Sequence, residues 1–200
     1  FDLLQNPNFK DQSLLSVLRD AFENGVISQE EAIGIAIILF GAGGESTSAL
    51  MGSSIYHLAT KSEIQNELRK NNELIVPFIE EVIRMSPPFR FHYRHVNSDC
   101  FLGGYPLVSG EKLLLSWDSA NRDENQFDNP NEFSLKRDKP KNHMGFGRGA
   151  HFCIGATLAR LEVKIFIETL LESFDQFKLK NEPCYLNSIF VRRFTSLEIE

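Results

Sequence analysis

The most informative stretch of the chain is Phe-Gly-Arg-Gly-Ala-His-Phe-Cys-Ile-Gly, residues 146–155. It places one cysteine, Cys153, among small residues, directly before a segment in which apolar residues recur at helical spacing from Ala156. The unpaired backbone N–H groups at the start of a helix favour an anion. Cys153 is therefore a candidate thiolate, as a metal ligand or as a nucleophile. A structural cysteine in a glycine-rich turn is the alternative.

The same stretch resembles the cysteine-ligand loop of the cytochromes P450, Phe-x-x-Gly-x-x-x-Cys-x-Gly. Phe146, Gly149, Cys153 and Gly155 fill its four defined positions. The resemblance implies that Cys153 is the axial thiolate ligand of a haem b, and that Phe146 and Gly155 lie against the cofactor.

A second informative segment begins at Ser28 and Glu31, which form a capping-box signature, and runs to about Ala59. Helical spacing predicts one long helix here, but residues 41–48, Gly-Ala-Gly-Gly-Glu-Ser-Thr-Ser, interrupt its apolar pattern. Each glycine inside a helix costs about 1 kcal/mol relative to alanine. A loop between two helices is therefore an alternative. A phosphate-binding turn is a poor one, because the lysine and spacing of a P-loop are absent.

This interruption resembles the oxygen-activation segment of the long central P450 helix, Ala-Gly-x-[Asp/Glu]-Thr, through Ala42, Gly43, Glu45 and Ser46. The resemblance implies that Ala42 and Gly43 shape the pocket beside the haem and that Glu45 and Ser46 deliver protons to it. Ser46 stands where threonine is usual, and Thr47 is the alternative hydroxyl.

A third motif lies in the helix predicted over Ile75 to Met85, where Glu81 and Arg84 are three residues apart and share a face. Such a pair is often exposed and contributes little. Followed by Pro87-Pro88, it resembles the Glu-x-x-Arg motif of P450s, which implies an internal ion pair. Glu132 stands where many P450s have an arginine that completes a triad with this pair, so the third member is unassigned.

By the same resemblance, Arg94, His143 and Arg148 bind the haem propionates, because buried carboxylates need cationic or hydrogen-bonding partners. His151 is assigned a packing role in its loop. The region around Phe91, together with Phe190 near a turn, is expected to line the substrate cavity.

The remaining elements follow from local signals. Apolar spacing and Gly25 predict a helix over Ser13 to Asn24, after irregular residues 1–12, and Ser62 with Gln65 opens a short helix to about Asn71. Strands are predicted at residues 91–96, 100–102 and 112–116. A long polar stretch follows at 121–140, and a terminal hairpin is predicted at 184–200.

Composition limits the function classes. The net charge of −6 argues against a nucleic-acid partner, and no uninterrupted apolar run is long enough to span a bilayer. The three separated cysteines, Cys100, Cys153 and Cys184, suggest neither a disulfide framework nor a CxxC zinc site. A reducing, cytoplasmic setting follows. The first residue is Phe1, which suggests a fragment.

Taken together, the sequence predicts a mainly α fold with small β-sheets, with residues 1–200 as one domain portion that resembles the C-terminal half of a soluble bacterial-type P450. The implied activity is monooxygenation of a small organic substrate, with electrons from a ferredoxin- or flavodoxin-type donor. A peroxide-driven peroxygenase and a non-catalytic haem-binding protein or remnant are the alternatives.

Overall fold

The computed structural model describes residues 13–200, so the predicted irregular segment 1–12 lies outside the described residues. Helices form most of its regular structure, interrupted by short strands, as the sequence predicts. The helices are α1 (Leu14–Glu23), α2 (Gln29–Thr60), α3 (Ser62–Lys70), α4 (Ile75–Met85), α5 (Trp117–Ala120) and α6 (Ala156–Ser173).

The strands are β1 (Phe91–His95), β2 (Cys100–Leu102), β3 (Tyr105–Leu107), β4 (Lys112–Ser116), β5 (Cys184–Tyr185) and β6 (Phe194–Ser196). They pair antiparallel as β1–β4, β2–β3 and β5–β6. Gly103 and Gly104 both have positive φ, 56° and 85°, and form the two-residue turn between β2 and β3. The predicted terminal hairpin is confirmed, since β5 pairs with β6.

The described chain divides into two compact units, 13–45 and 46–200. A single domain portion over 1–200 stays a prediction. In the first unit, Leu18 and Ala32 are buried at the centre of a small apolar cluster. The predicted capping box is present: Glu31 Oε2 accepts from Ser28 N at 2.7 Å, and Ser28 Oγ accepts from Glu31 N at 3.1 Å.

Helix α2 is continuous through residues 41–48, so these residues do not form a loop between two helices. By length and composition alone, α2 could also cross a membrane. That match rests on length and composition only, so the expectation of no membrane-spanning segment stays a prediction.

The core of the second unit lies among α3, α4 and α6, and Phe78, Val82, Val163 and Ile167 are fully buried there. One predicted cap is wrong. Lys61, not Ser62, precedes α3, and it makes no side-chain capping bond. Gln65 is buried instead, and its amide donates to the carbonyls of Leu58 and Phe177 at 2.8 and 2.7 Å.

Candidate functional site

The Cys153 loop is a tight turn that ends where α6 begins. The backbone N–H of Cys153 donates to the Phe146 carbonyl at 2.9 Å, and that of Phe152 donates to the Gly149 carbonyl at 3.0 Å. Gly147 and Gly149 have φ of 68° and 72°, a region that side chains disfavour, so glycine is needed at both. Cys153 is exposed and makes no disulfide. The loop therefore presents an accessible thiol directly before the first turn of a helix.

The loop is anchored from behind by Glu80 of α4, a carboxylate that the sequence reasoning missed. Arg160 of α6 donates to both Glu80 oxygens at 2.6 and 2.9 Å. The Arg160 guanidinium also lies over the Phe146 ring, 4.5 Å from its centroid. His143 Nδ1 accepts from Gly145 N at 3.2 Å, which leaves Nε2 to donate to Glu80 at 2.8 Å. His143, just before the loop, and Arg160, in α6, thus share a single buried acid.

Burial would raise the pKa of Glu80, but hydrogen bonds from His143 and Arg160 outweigh that effect and lower the pKa to about 2. Glu80 is therefore ionised at neutral pH. The sequence signal for Glu80 was a second acidic residue beside Glu81 in a mainly apolar helix, because a buried carboxylate must be paired.

Glu81 and Arg84 form a buried bidentate ion pair, with both N–O distances 2.8 Å. The third member of this network is Arg137, whose Nε lies 3.0 Å from Glu81 Oε2. Burial raises the pKa of Glu81, but the Arg84 hydrogen bond and then the Ser134 N–H lower it overall. Glu132 cannot supply a positive charge, but its backbone carbonyl accepts hydrogen bonds from Arg84 and Arg137.

Arg94 and Arg148 are the accessible cations near the loop and β1. Arg94 donates to the Tyr93 carbonyl at 2.9 Å, and Arg148 donates to the Asn142 carbonyl at 3.2 Å. Within residues 13–200 neither forms an ion pair with an acid. Both guanidinium groups thus remain available to an anionic ligand.

His143 differs from the expectation that it binds a propionate. It is buried, and both of its ring nitrogens already have partners within the protein. A propionate could reach His143 only by displacing Glu80 or the Gly145 N–H. His151, to which the sequence assigns packing, is exposed.

The side chains predicted to handle protons lie on α2. Ala42, Gly43 and Glu45 are exposed members of the first unit, whereas Ser46 and Thr47 belong to the second. Thr47 is buried, and Ser46 is partly buried. Their orientation toward the Cys153 loop stays a prediction, as does the choice between the two hydroxyls.

Aromatic side chains cluster where β1 meets the terminal hairpin. The Phe190 ring lies 5.1 Å from that of Phe89 and 5.4 Å from that of Phe91, measured between centroids. The Phe190 carbonyl accepts from Arg90 N at 2.9 Å. Phe91 and Phe190, both predicted to line a substrate cavity, are therefore neighbours.

The donor set suits a haem. It combines an accessible thiol at a helix start with two guanidinium groups that have no carboxylate partner in the described chain. Exposed apolar side chains flank the thiol, including Phe152 and Ile154. A soft thiolate ligand, an apolar surround and cations for two propionates are the groups that an iron porphyrin requires.

Comparisons with known proteins agree with this geometry. The family described as Cytochrome P450 matches residues 3–192. Cytochrome P450 144 of Mycobacterium tuberculosis is 46% identical over 187 residues, which cover 94% of this chain and 43% of that protein. Putative cytochrome P450 YjiB of Bacillus subtilis is 37% identical, over 91% of this chain and 46% of that protein.

A solved structure, CYP109E1 of Bacillus megaterium in complex with corticosterone, superposes with a TM-score of 0.92 at 35% identity, covering 99% of this chain and 54% of that chain. The present chain thus spans about half the length of the relatives it matches. The match over nearly all of its residues is decisive for the fold: the chain belongs to the cytochrome P450 family.

Proposed function

We propose that this chain supplies the haem-binding part of a haem-thiolate monooxygenase, which transfers one atom of dioxygen to a small organic substrate. The observation that carries the proposal is Cys153, an accessible thiol in a loop anchored to α4 through Glu80. Family membership supports the reaction class. When bound, haem b supplies the iron that activates dioxygen.

Cys153 Sγ is the proposed iron ligand, and the backbone N–H of Cys153 donates to the Phe146 carbonyl. Arg94 and Arg148 hold the propionates, because each offers several N–H donors and lacks a carboxylate partner in the described chain. His143 is left out of the proposed site because Glu80 already holds it. The hydrogen bonds of Glu80 to His143 and Arg160 tie the region around the loop to α4.

The proposed proton route uses the acid and hydroxyl of α2. Glu45 is exposed to solvent and can take up a proton there. The hydroxyl of Ser46 or Thr47 then passes it toward the reacting oxygen, since a hydroxyl both accepts and donates. Ala42 and Gly43 leave room beside these groups. Phe91 and Phe190 form the proposed apolar wall for the substrate.

We also propose that the protein is cytoplasmic and receives its electrons from a ferredoxin- or flavodoxin-type donor. For α2 we favour a place inside the protein over a place in a membrane. Glu45 lies midway along Gln29–Thr60, and a charged side chain at the centre of a bilayer costs about 2.5–3.5 kcal/mol or more.

The thiolate assignment is tested by Cys153→Ser. The ferrous carbon-monoxide complex should lose its red-shifted Soret band, because serine replaces the thiolate. Cys100→Ser and Cys184→Ser are matched controls: both cysteines are exposed and free, and both variants should keep the band. An unchanged spectrum in Cys153→Ser would refute the haem assignment.

A second measurement distinguishes a monooxygenase from a protein that binds haem without catalysis. With the band present, the protein should convert a substrate when a surrogate reductase and NAD(P)H are supplied. Carbon-monoxide binding without any product over a panel of small apolar substrates would support a binding role instead.

A further inference from the structure

A pocket of about 420 Å³ opens beside the C-terminal end of α4, within the second unit. None of the residues proposed to hold haem or to move protons lines it. Its size falls within the range of about 300–1,000 Å³ that is usual for small-molecule sites. It therefore needs a separate explanation.

The walls of this pocket carry more positive than negative charge. Arg90, Arg122 and Arg192 line it, and the carboxylate that faces them is Asp118. Asp118 Oδ2 accepts from Arg90 at 2.7 Å and from Arg192 at 3.1 Å. Three guanidinium groups against one carboxylate leave an excess of two positive charges.

Most N–H donors of these arginines have no protein partner in the described chain. Arg122 gives one N–H to the Met85 carbonyl at 3.1 Å, and Arg90 gives one to Asp118. A guanidinium has five such donors. Burial lowers the pKa of Arg122, and the charges of Arg192 and Arg84 add to this effect against the opposing charge of Asp118. The cations therefore repel one another and would gain from a second anion.

His57 is the buried histidine of the pocket wall. It is 8% exposed, lines the same pocket, and has its Nε2 3.1 Å from Ser86 Oγ. Its Nδ1 is buried and has no hydrogen-bond partner among the described residues. Burial and then the charge of Lys61 lower the pKa of His57 to about 4, so the ring is neutral at pH 7. Because its Nδ1 is closed to solvent and its ring is neutral, His57 forms part of the pocket wall and is not among the groups that would hold an anion.

We propose that this pocket binds a small organic anion, with its carboxylate or phosphate group held by Arg90, Arg122 and Arg192. Guanidinium groups bind both kinds of anion in a planar, bidentate manner. Tyr185 and Val191 line the same pocket and offer contact to an apolar body. The inference does not depend on the proposed haem chemistry.

The test is a calorimetric titration of the purified protein at constant ionic strength. The probes are benzoate and phenyl phosphate, with benzyl alcohol as the neutral match. One or both anions should bind at one site, and benzyl alcohol should bind far more weakly. The tighter of the two anions identifies the preferred head group.

Two variants test the site from opposite directions. Arg90→Gln should weaken binding of the tighter anion about tenfold, because one charge-assisted hydrogen bond is lost. The Arg90 side chain is 42% exposed, so this variant should fold. Asp118→Asn should strengthen binding, because the internal carboxylate no longer competes for the same N–H groups. If the arginines only support the end of α4, Asp118→Asn produces no such gain.

Matched controls fix the location. Lys178→Gln removes a surface charge outside the pocket, and Cys100→Ser removes an exposed thiol outside it; both should leave anion binding unchanged. The inference fails if benzyl alcohol binds as tightly as the anions, or if Arg90→Gln and Asp118→Asn both leave anion binding unchanged. It also fails if Cys153→Ser abolishes binding, since the anion would then occupy the haem site.

Discussion

Replacing Glu80 by glutamine tests whether one buried carboxylate holds the Cys153 loop in place. Glu80 has no exposed surface, and three short contacts tie it to His143 and Arg160, at 2.8, 2.6 and 2.9 Å. Glutamine keeps the volume and one acceptor oxygen but removes the charge. Arg160 is then left without its anionic partner behind the loop.

The size of the effect follows from the pKa of Glu80. The pKa falls from 4.5 to about 2 on folding. At about 1.4 kcal/mol for each pH unit, this difference corresponds to about 3 kcal/mol of stability for the ionised form. Removing one partner of a buried ion pair typically costs about 3–5 kcal/mol, which agrees. Glu80→Gln should therefore lower the free energy of unfolding by about 3 kcal/mol at pH 7.

The pH dependence gives a sharper test. A carboxylate whose folded pKa is lowered contributes its full stability above the unfolded pKa of 4.5, and loses it as the pH falls toward about 2. The difference between the original protein and Glu80→Gln should therefore shrink steadily over that interval. Urea unfolding followed by circular dichroism at pH 6, 4 and 3 measures it.

Glu162→Gln is the matched control, because Glu162 is exposed on α6 and should change stability by less than about 0.5 kcal/mol. The reasoning is refuted if Glu80→Gln costs less than about 1 kcal/mol at pH 6, or if its cost is the same at pH 6 and pH 3.

Two further predictions concern the second buried acid and the proton route. Arg137→Gln should lower the free energy of unfolding by about 2 kcal/mol, since Glu81 loses one charged partner but keeps another. Exposed Lys136→Gln is the control in urea unfolding, and equal unfolding midpoints for the two variants would contradict this role of Arg137. Ser46→Ala should raise peroxide release per NAD(P)H oxidised, because general acid–base steps contribute about 10²–10⁴ in rate. A larger effect on peroxide release in Thr47→Ala would assign the proton route to Thr47. Fast peroxide-driven turnover, with no effect on peroxide release in either variant, would favour the peroxygenase.

Elements whose ends depend on local signals could be predicted closely. Helix α4 was expected over Ile75 to Met85 and is observed there, because Pro87 and Pro88 cannot continue it. The capping box at Ser28 and Glu31 is equally local. The similar pair at Ser62 and Gln65 failed because long-range burial of Gln65, against the carbonyl of a residue over a hundred positions later, outweighed its capping propensity.

The charged network could be predicted only in part. Glu81 and Arg84 are a helical turn apart, so periodicity pairs them. Arg137 lies 56 residues beyond Glu81, in an irregular polar stretch with no period to place it. Glu132 has the wrong charge for the third member; Arg137 makes that contact with Glu81, and the Glu132 backbone carbonyl accepts from Arg84 and Arg137. Main-chain acceptors leave no trace in the side-chain sequence.

The apolar pattern of α6 shows the same limit. Leu158, Leu161 and Ile165 recur at helical spacing, yet all three are more than half exposed. Val163 and Ile167, on the other side of the helix, are the residues that are fully buried. Periodicity identifies an apolar face, but it does not say what covers that face.

The two adjacent acids of α4 explain how the exposed Cys153 loop can still have a fixed position. Successive residues of a helix point about 100° apart, so Glu80 faces Arg160 and the Cys153 loop while Glu81 faces Arg137. Neither the Cys153 loop nor the polar stretch that carries Arg137 can shift along α4 without leaving a buried charge unpaired, which costs several kcal/mol. Much of the Cys153 loop is exposed, including Cys153, Phe152 and Ile154, so burial of its own side chains holds it only in part. Packing of Phe146 against the core and the Glu80 network behind it therefore set the position of the loop together.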